Sequence, residues 1–353
     1  MTAVRGHGGR PAPAGHTRGR ARGKEWATKI GVRTHDGAED RLRYAQQIGA
    51  QGGSIWLSAL PGYEEKGYAD VEPMARLRER FEAHGLELNV AGLGARVIKN
   101  QLLGRPERDR EIENVCRTIR NMGEAGIPVL IVDQRITYWA QGAGYRPEQT
   151  GSAWLPLGRG GVKLHSFDAS RITEPDAPAG EVSPGEAWER TLYLYERIVP
   201  VAEQAKVKLA THPDDPPMPY YRGVRQILNR FEGFRHLTET FDSPYNGLLL
   251  CLGTMQEAGE DVLEGIRHFG RRKRIFCVHY RNVRGKVPKY EEVFQDEGDL
   301  DMVAAMRRLK EVGFADWVVN DHNPGLMDDT PWGHRSLARQ VGYIRGVLQA
   351  IGA

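Results

Sequence analysis

His212-Pro213-Asp214-Asp215-Pro216-Pro217 joins an imidazole, two carboxylates and three prolines in one short run. The prolines fix φ and remove backbone donors, so the loop is rigid. The histidine is a potential metal ligand or base, and the adjacent carboxylates repel unless a positive group stands nearby. A Pro-rich turn with solvated acids is the structural alternative. Three later positions bear on the choice: Cys251, His279 and Asp321. Each is a metal-ligating type and each follows a short apolar run. Two imidazoles, a thiolate and a carboxylate suit Fe²⁺, Mn²⁺ or Zn²⁺ rather than Mg²⁺ or Ca²⁺. Taken singly, Cys251 reads equally as a small buried apolar residue, His279 as a core histidine and Asp321 as a helix cap.

Around these four stand possible partners. His322 follows Asp321 and suits an acid or a base. Arg281 lies two residues past His279 and suits a bidentate clamp on a substrate carboxylate, or a rim salt bridge. Asp214 and Asp215 suit acceptors that orient the ligands. Asn246 and Asn282 are weaker polar candidates, and His35 and Trp56 are placed to line a pocket. His165 and Arg159 fall in a long polar segment.

The elements that must position these residues alternate. Strands are expected at 28–33, 54–57, 86–91, 127–132, 207–211, 247–251, 274–279 and 317–320. Amphipathic helices are expected at 39–48, 71–84, 105–125, 183–204, 222–231, 256–269, 300–312 and 334–350. Eight strand-plus-helix units predict an α/β fold, a (β/α)8 TIM barrel, with a doubly wound open sheet as the alternative. No GxGxxG follows the first strand and no GxxxxGK[ST] occurs, which argues against a nucleotide-binding version. In such a barrel the strand C-termini share one face, so His212, Cys251, His279 and Asp321 converge there. Residues 133–181 form a long insertion after the fourth strand, expected to be lid-like. Residues 1–25 read as a disordered Arg/Gly/Pro-rich tail and 26–353 as a single catalytic barrel.

Composition narrows the class. The chain has 353 residues, 40% hydrophobic and 27% charged, with a net charge of +3, so neither nucleic acid nor a membrane is an expected partner. Three widely spaced cysteines imply no disulfide framework and point to a reducing, cytoplasmic setting.

The residues also match a known pattern. The sequence resembles the mannonate dehydratase family of the xylose-isomerase-like barrel superfamily. The HPDDPP run, Asp242-Ser243-Pro244-Tyr245-Asn246-Gly247 leading to Cys251, Val278-His279-Tyr280-Arg281-Asn282-Val283, Gly298-Asp299-Leu300-Asp301-Met302 and Asp321-His322 carry the likeness. So do Gly104-Arg105-Pro106-Glu107 and Gly158-Arg159-Gly160-Gly161 with Ser166-Phe167-Asp168. The resemblance implies Mn²⁺ or Fe²⁺ on His212, Cys251, His279 and Asp321, and a catalytic role for His322. It also implies loss of water from a sugar acid to give a 2-keto-3-deoxy acid, and a homo-oligomer. The sequence departs from the family near its end. Asn323-Pro324-Gly325 follows Asp321-His322, and Trp332 stands near a catalytic tyrosine's place. Tryptophan exchanges no proton at neutral pH, so Trp332 is expected to bind substrate instead. Two other readings keep the site: isomerisation or epimerisation of a sugar, and a non-catalytic metal- or ligand-binding barrel.

Overall fold

The structure, a computed structural model, describes residues 26, 28–135, 150–173 and 181–352. The expected N-terminal tail lies outside the described residues. In chain order the strands are β1 Lys29–His35, β2 Gly52–Trp56, β3 Glu87–Leu93, β4 Val129–Val132, β5 Thr150–Leu155, β6 Leu164–Ile172 and β7 Lys208–Thr211. They continue as β8 Tyr220–Tyr221, β9 Val224–Arg225, β10 Asn246–Cys251, β11 Ile275–His279, β12 Asn282–Lys286, β13 Lys289–Val293 and β14 Trp317–Val319.

Eight of these close a parallel barrel in the order β1-β14-β11-β10-β7-β4-β3-β2. Helices on its outside include Glu39–Gln47, Val71–Ala83, Arg108–Ala125, Pro184–Ala205 and His334–Ala350. This is the expected (β/α)8 barrel, with strand ends within a few residues of those read from the apolar runs. Alternation explains its two cores. Outward residues such as Val32, Ile55, Leu130, Leu209, Leu250 and Val318 pack against the helices. A separate inner cluster holds Val90, Ile131, Ala210, Leu249, Cys277 and Val319. Two residues on from the inner ones stand Asp133, His212, Cys251, His279 and Asp321. The same parity that fills the barrel thus delivers polar side chains to its top.

Local signals set the long helix before β7. Ser183 Oγ accepts from Glu186 N–H, while Glu186 Oε2 accepts from Ser183 N–H at 2.9 Å, so each satisfies the other's free donor. Two expected helices differ. Residues 222–231 do not form one: Arg222 and Gly223 have positive φ (52° and 88°), which turns β8 into β9, and the helix begins at Phe231 and runs to Thr240. The helix expected at 256–269 is two helices, Leu252–Glu257 and Val262–Arg271. Gly259 at φ 75° breaks the run, and Asp261 caps the second.

The insertion is more than a connection. Its β5 and β6 join the hairpin β12–β13 in a four-stranded sheet of order β12-β13-β6-β5. The hairpin gave no helix-like or strand-like signal strong enough to be expected. Antiparallel pairing sets Glu291 opposite Ser166, which brings Glu292 beside His165.

The barrel closes tightly at β2. Gly52 pairs with Glu87, and a Cβ there would stand 2.5 Å from Glu87 O and 2.5 Å from Trp317 Cη2. Gly52→Ala is expected to destabilise the fold by about 1–3 kcal/mol through overpacking. Urea unfolding would read this as a lower midpoint with an unchanged slope.

Candidate active site

His212, Cys251 and His279 end three neighbouring strands, β7, β10 and β11, and one ligating atom of each lies within 4.8 Å of the others. Register explains it, because Cys251 pairs with His279. Asp321, just past β14, stands against two of the three. Its Oδ2 lies 3.6 Å from Cys251 Sγ and 3.3 Å from His279 Nδ1.

The donor chemistry of this group fits a cation. His279 Nδ1 faces Asp321 without the alignment of a hydrogen bond, and among the described residues no group hydrogen-bonds it. Burial, helped by the Asp321 and Asp215 charges and opposed by Arg281, pushes the Cys251 thiol up to about 12, so a further positive charge would be needed to hold it as thiolate. Burial, with Arg135 nearby, lowers His212 to about 4 and keeps that imidazole neutral, the form that ligates. Its Nδ1 bonds Pro213 O at 2.7 Å, which fixes the ring.

Arg281 does not stand where a clamp would. It is 2% exposed and held by four carboxylates. Its Nε donates to Asp321 at 2.9 Å and its Nη2 to Asp215 at 3.1 Å, while Nη1 pairs with Glu257 and lies 3.6 Å from Glu292. Thr254 and Glu257 reach it from the helix that follows Cys251, at successive i+3 positions on one face. With its donors turned to these side chains, Arg281 faces Asp321 and Asp215 and does not line the chamber. Asn282 also serves the backbone: its Nδ2 donates to Gln295 O and Leu300 O. Asn246 begins β10, at the opposite end of the barrel, and bonds Leu237 O and Phe241 O. Both asparagines were expected at the substrate; their Nδ2 groups instead donate to backbone carbonyls.

Asp214 accepts from Leu228 N–H at 2.8 Å, tying the HPDDPP loop to the β9 segment. Burial raises it to about 6. His35 and Trp56 do line a cavity, together with His212, His279 and Asp321. His35 is lowered to about 4 by burial and by Arg33 and Arg41. A larger chamber of about 380 Å³ adjoins it, sharing Arg33, Trp56, Asp133, Arg135 and His322. Trp332 lines a neighbouring cavity that also includes His322, its ring edge-on to Tyr44 at 5.2 Å.

His322 Nδ1 lies 2.6 Å from Glu292 Oε2, which leaves Nε2 on the side of Asp321 Oδ1, 3.8 Å away. Burial opposes a charge on this ring, but Asp321 and Glu292 outweigh it and push its pKa up to about 9. The other Glu292 oxygen bonds His165 Nδ1 at 2.7 Å.

Arg33, Asp133, Arg135 and Glu292 were not expected in the site. Arg33 bonds Asp321 Oδ1 at 2.7 Å, and Arg135 pairs with Asp133 through 2.9 and 3.0 Å contacts. Inward parity in β1 and β4 identifies Arg33 and Asp133 once the barrel is known. Glu292 has no such signal, because its hairpin lies outside the eight units.

Removing Arg281 leaves buried carboxylates without their shared cation. Arg281→Met is expected to cost about 3–5 kcal/mol of stability. A clamp on substrate would instead raise KM and leave the urea midpoint unmoved, so unfolding and kinetics together decide between the two roles.

The D-mannonate dehydratase (UxuA) family model matches residues 36–174 and 167–353. The mannonate dehydratase of Thermotoga neapolitana is 29% identical over 311 residues, covering 80% of this chain and 86% of that protein. Mannonate dehydratase 2 of Halalkalibacterium halodurans is 28% identical over 336 residues, covering 88% and 95%. The crystal structure of mannonate dehydratase from Streptococcus suis superposes with a TM-score of 0.80 at 27% identity, over 92% of this chain and 96% of that one. The D-psicose 3-epimerase of Clostridium cellulolyticum H10 shares the fold, with a TM-score of 0.61 at 14% identity over 91% and 99%. Two family matches that together run from residue 36 to the C-terminus, over a barrel whose strand ends carry the expected polar set, place the chain in the D-mannonate dehydratase family.

Proposed function

We propose that the protein is a divalent-metal-dependent hydro-lyase that removes water from a sugar acid, D-mannonate or a close relative, to give a 2-keto-3-deoxy acid. The observation that carries this reading is the convergence of His212, Cys251 and His279, with Asp321 against two of them, below a chamber walled by His322. In it His212, Cys251, His279 and Asp321 hold the ion, with Mn²⁺ or Fe²⁺ matching the mixed N, S and O donors. A bound ion supplies a Lewis acid for carboxylate and hydroxyl oxygens and for the charge that develops when the adjacent carbon loses its proton.

The chain's own residues do the rest. Arg33 and Arg135, paired with Asp321 and Asp133, line the chamber and bring two guanidinium groups to where an anionic substrate would lie. Trp56 offers an apolar face to a sugar carbon chain. His322 moves a proton at Nε2, its Nδ1 held by Glu292. Neutralising the Asp321 charge would let the His322 pKa fall back toward the ordinary imidazole range, where it can accept a proton at neutral pH. Arg281 keeps Asp321 in place. On this reading residues 26–353 act as one catalytic unit with 133–181 as an insertion. The protein works in the cytoplasm as an assembly of identical subunits. The three free, buried thiols agree with a reducing compartment. Among the described residues no helix is long and apolar enough to cross a membrane.

Purified protein given D-mannonate and other aldonates with Mn²⁺ is expected to form a 2-keto-3-deoxy acid, detected by periodate–thiobarbiturate assay. An isomer formed without loss of water would refute dehydration. His322→Gln is expected to lower kcat by about 10²–10⁴ while metal content stays the same. Cys251→Ala and His279→Ala are expected to lose bound metal by elemental analysis. Stoichiometric metal in both would overturn the ligand assignment.

A further inference from the structure

Elimination of water needs two proton transfers. One proton leaves the carbon beside the carboxylate, and another must reach the hydroxyl that departs from the next carbon. His322 supplies one transfer. The chamber holds a second imidazole in the matching state of restraint. His165, from β6 of the inserted sheet, lines the same 380 Å³ space, and its ring centroid lies 5.9 Å from that of His322. Both rings give Nδ1 to the two oxygens of one carboxylate, Glu292, at 2.7 and 2.6 Å. Glu292 is 4% exposed. It therefore sets both tautomers alike and leaves Nε2 of each ring as the nitrogen for exchange. Across the 14% exposed His165 side chain the site opens to solvent less than across His322, at 37%.

The tyrosines and arginines on this wall are poorly suited. Tyr63 and Tyr290 are buried, and burial holds both hydroxyls well above their ordinary range. Arg33 and Arg135 stay protonated throughout.

We infer that His165 is the second proton-transfer group, protonating the departing hydroxyl while His322 takes the proton from the carbon beside the carboxylate. His322 Nε2 lies on the Asp321 side, where the carboxylate end of the substrate sits in the proposed reading. His165 stands one ring further from the metal-type donors, and the inference sets the next carbon beside it. The balance is closed. The C–H pair forms the new C=C bond as its proton goes to His322. The C–O bond breaks with its pair, and the oxygen takes the His165 proton and leaves as water. The enol then becomes the keto acid, and the two rings re-equilibrate with solvent. The inference rests on the dehydratase reading above.

The test follows both hydrogens in the metal-loaded enzyme. In D2O, His165→Gln is expected to keep exchange of the hydrogen beside the carboxylate while dehydration falls by about 10²–10⁴. Glutamine keeps a donor for Glu292, and metal content and circular dichroism are expected to stay unchanged. A 3-deoxy-3-fluoro aldonate, whose fluoride leaves with little help from an acid, is expected to restore elimination in His165→Gln to within about tenfold of wild type. His322→Gln is expected to lose exchange and both eliminations. If His165→Gln loses exchange and dehydration in parallel, with no fluoride rescue, the residue merely positions Glu292 and the inference fails. The same follows if it retains full activity. Should His165→Gln not fold, His165→Asn is put to the same fluoride comparison. A wild type that dehydrates no aldonate overturns the dehydratase reading, and this assignment with it, whereas the other outcomes leave that reading standing.

Discussion

Arg281 is one cation among four carboxylates, nearly out of reach of water. Asp215, Glu257, Glu292 and Asp321 come from four different segments and would repel each other if brought together alone. The guanidinium fork holds them in fixed directions, which an ammonium on a flexible stem would not. Even so the compensation is incomplete. Glu257 is pushed up to about 8 by burial against the pull of Arg281. The residual negative charge at Asp321 and Asp215 faces the cluster of His212, Cys251 and His279. A barrel top arranged in this way attracts a cation, and the same field acts on His322. Space for the guanidinium is made by Gly253, where a Cβ would stand 2.6 Å from Arg281 Cγ.

The second constraint is parity. Inward residues of the barrel strands form an apolar plug that includes Val90, Val129, Ile131, Leu249, Cys277 and Trp317. Above the plug, the next inward step on β4, β7, β10, β11 and β14 carries Asp133, His212, Cys251, His279 and Asp321. Because the plug closes the barrel below, the metal-type donors and the Arg281 cluster meet water from one side only. In that setting each charge interaction is stronger than at a surface, and each unpaired charge is more costly. The inserted sheet acts from the other side, adding His165 and Tyr290 to the wall of the chamber, with Glu292 buried behind His165.

Much of this was legible from the residues. Strand ends and residue type were enough to bring His212, Cys251, His279 and Asp321 to one face, since a parallel barrel makes strand order and site position nearly the same thing. His35 and Trp56 followed from the same rule. Arg281, Asn246 and Asn282 did not. A polar residue near a strand end has two possible customers, the substrate and the local backbone, and sequence carries no sign of which it serves. Asn246 was misread because it lies at the start of β10 rather than its end. The helix expected over 222–231 failed on two positive-φ residues, only one of them glycine.

Glu292 marks the limit more sharply. It meets His165 across a sequence separation of 127 residues, in a sheet that is not part of the repeating unit. No periodicity links β6 to β13, which pair although they belong to different βα repeats. In the closed barrel the insertion and the hairpin emerge from the same face, after β4 and β11. Once they do, antiparallel register leaves little choice: with Tyr290 opposite Phe167 and packed on it, Glu292 falls next to His165. The carboxylate that joins the two imidazoles is therefore set by an aromatic contact two residues away, which lies in the small cluster of Phe167, Tyr221 and Tyr290. Packing in that cluster fixes the register, and the register aligns the proton-carrying side chains.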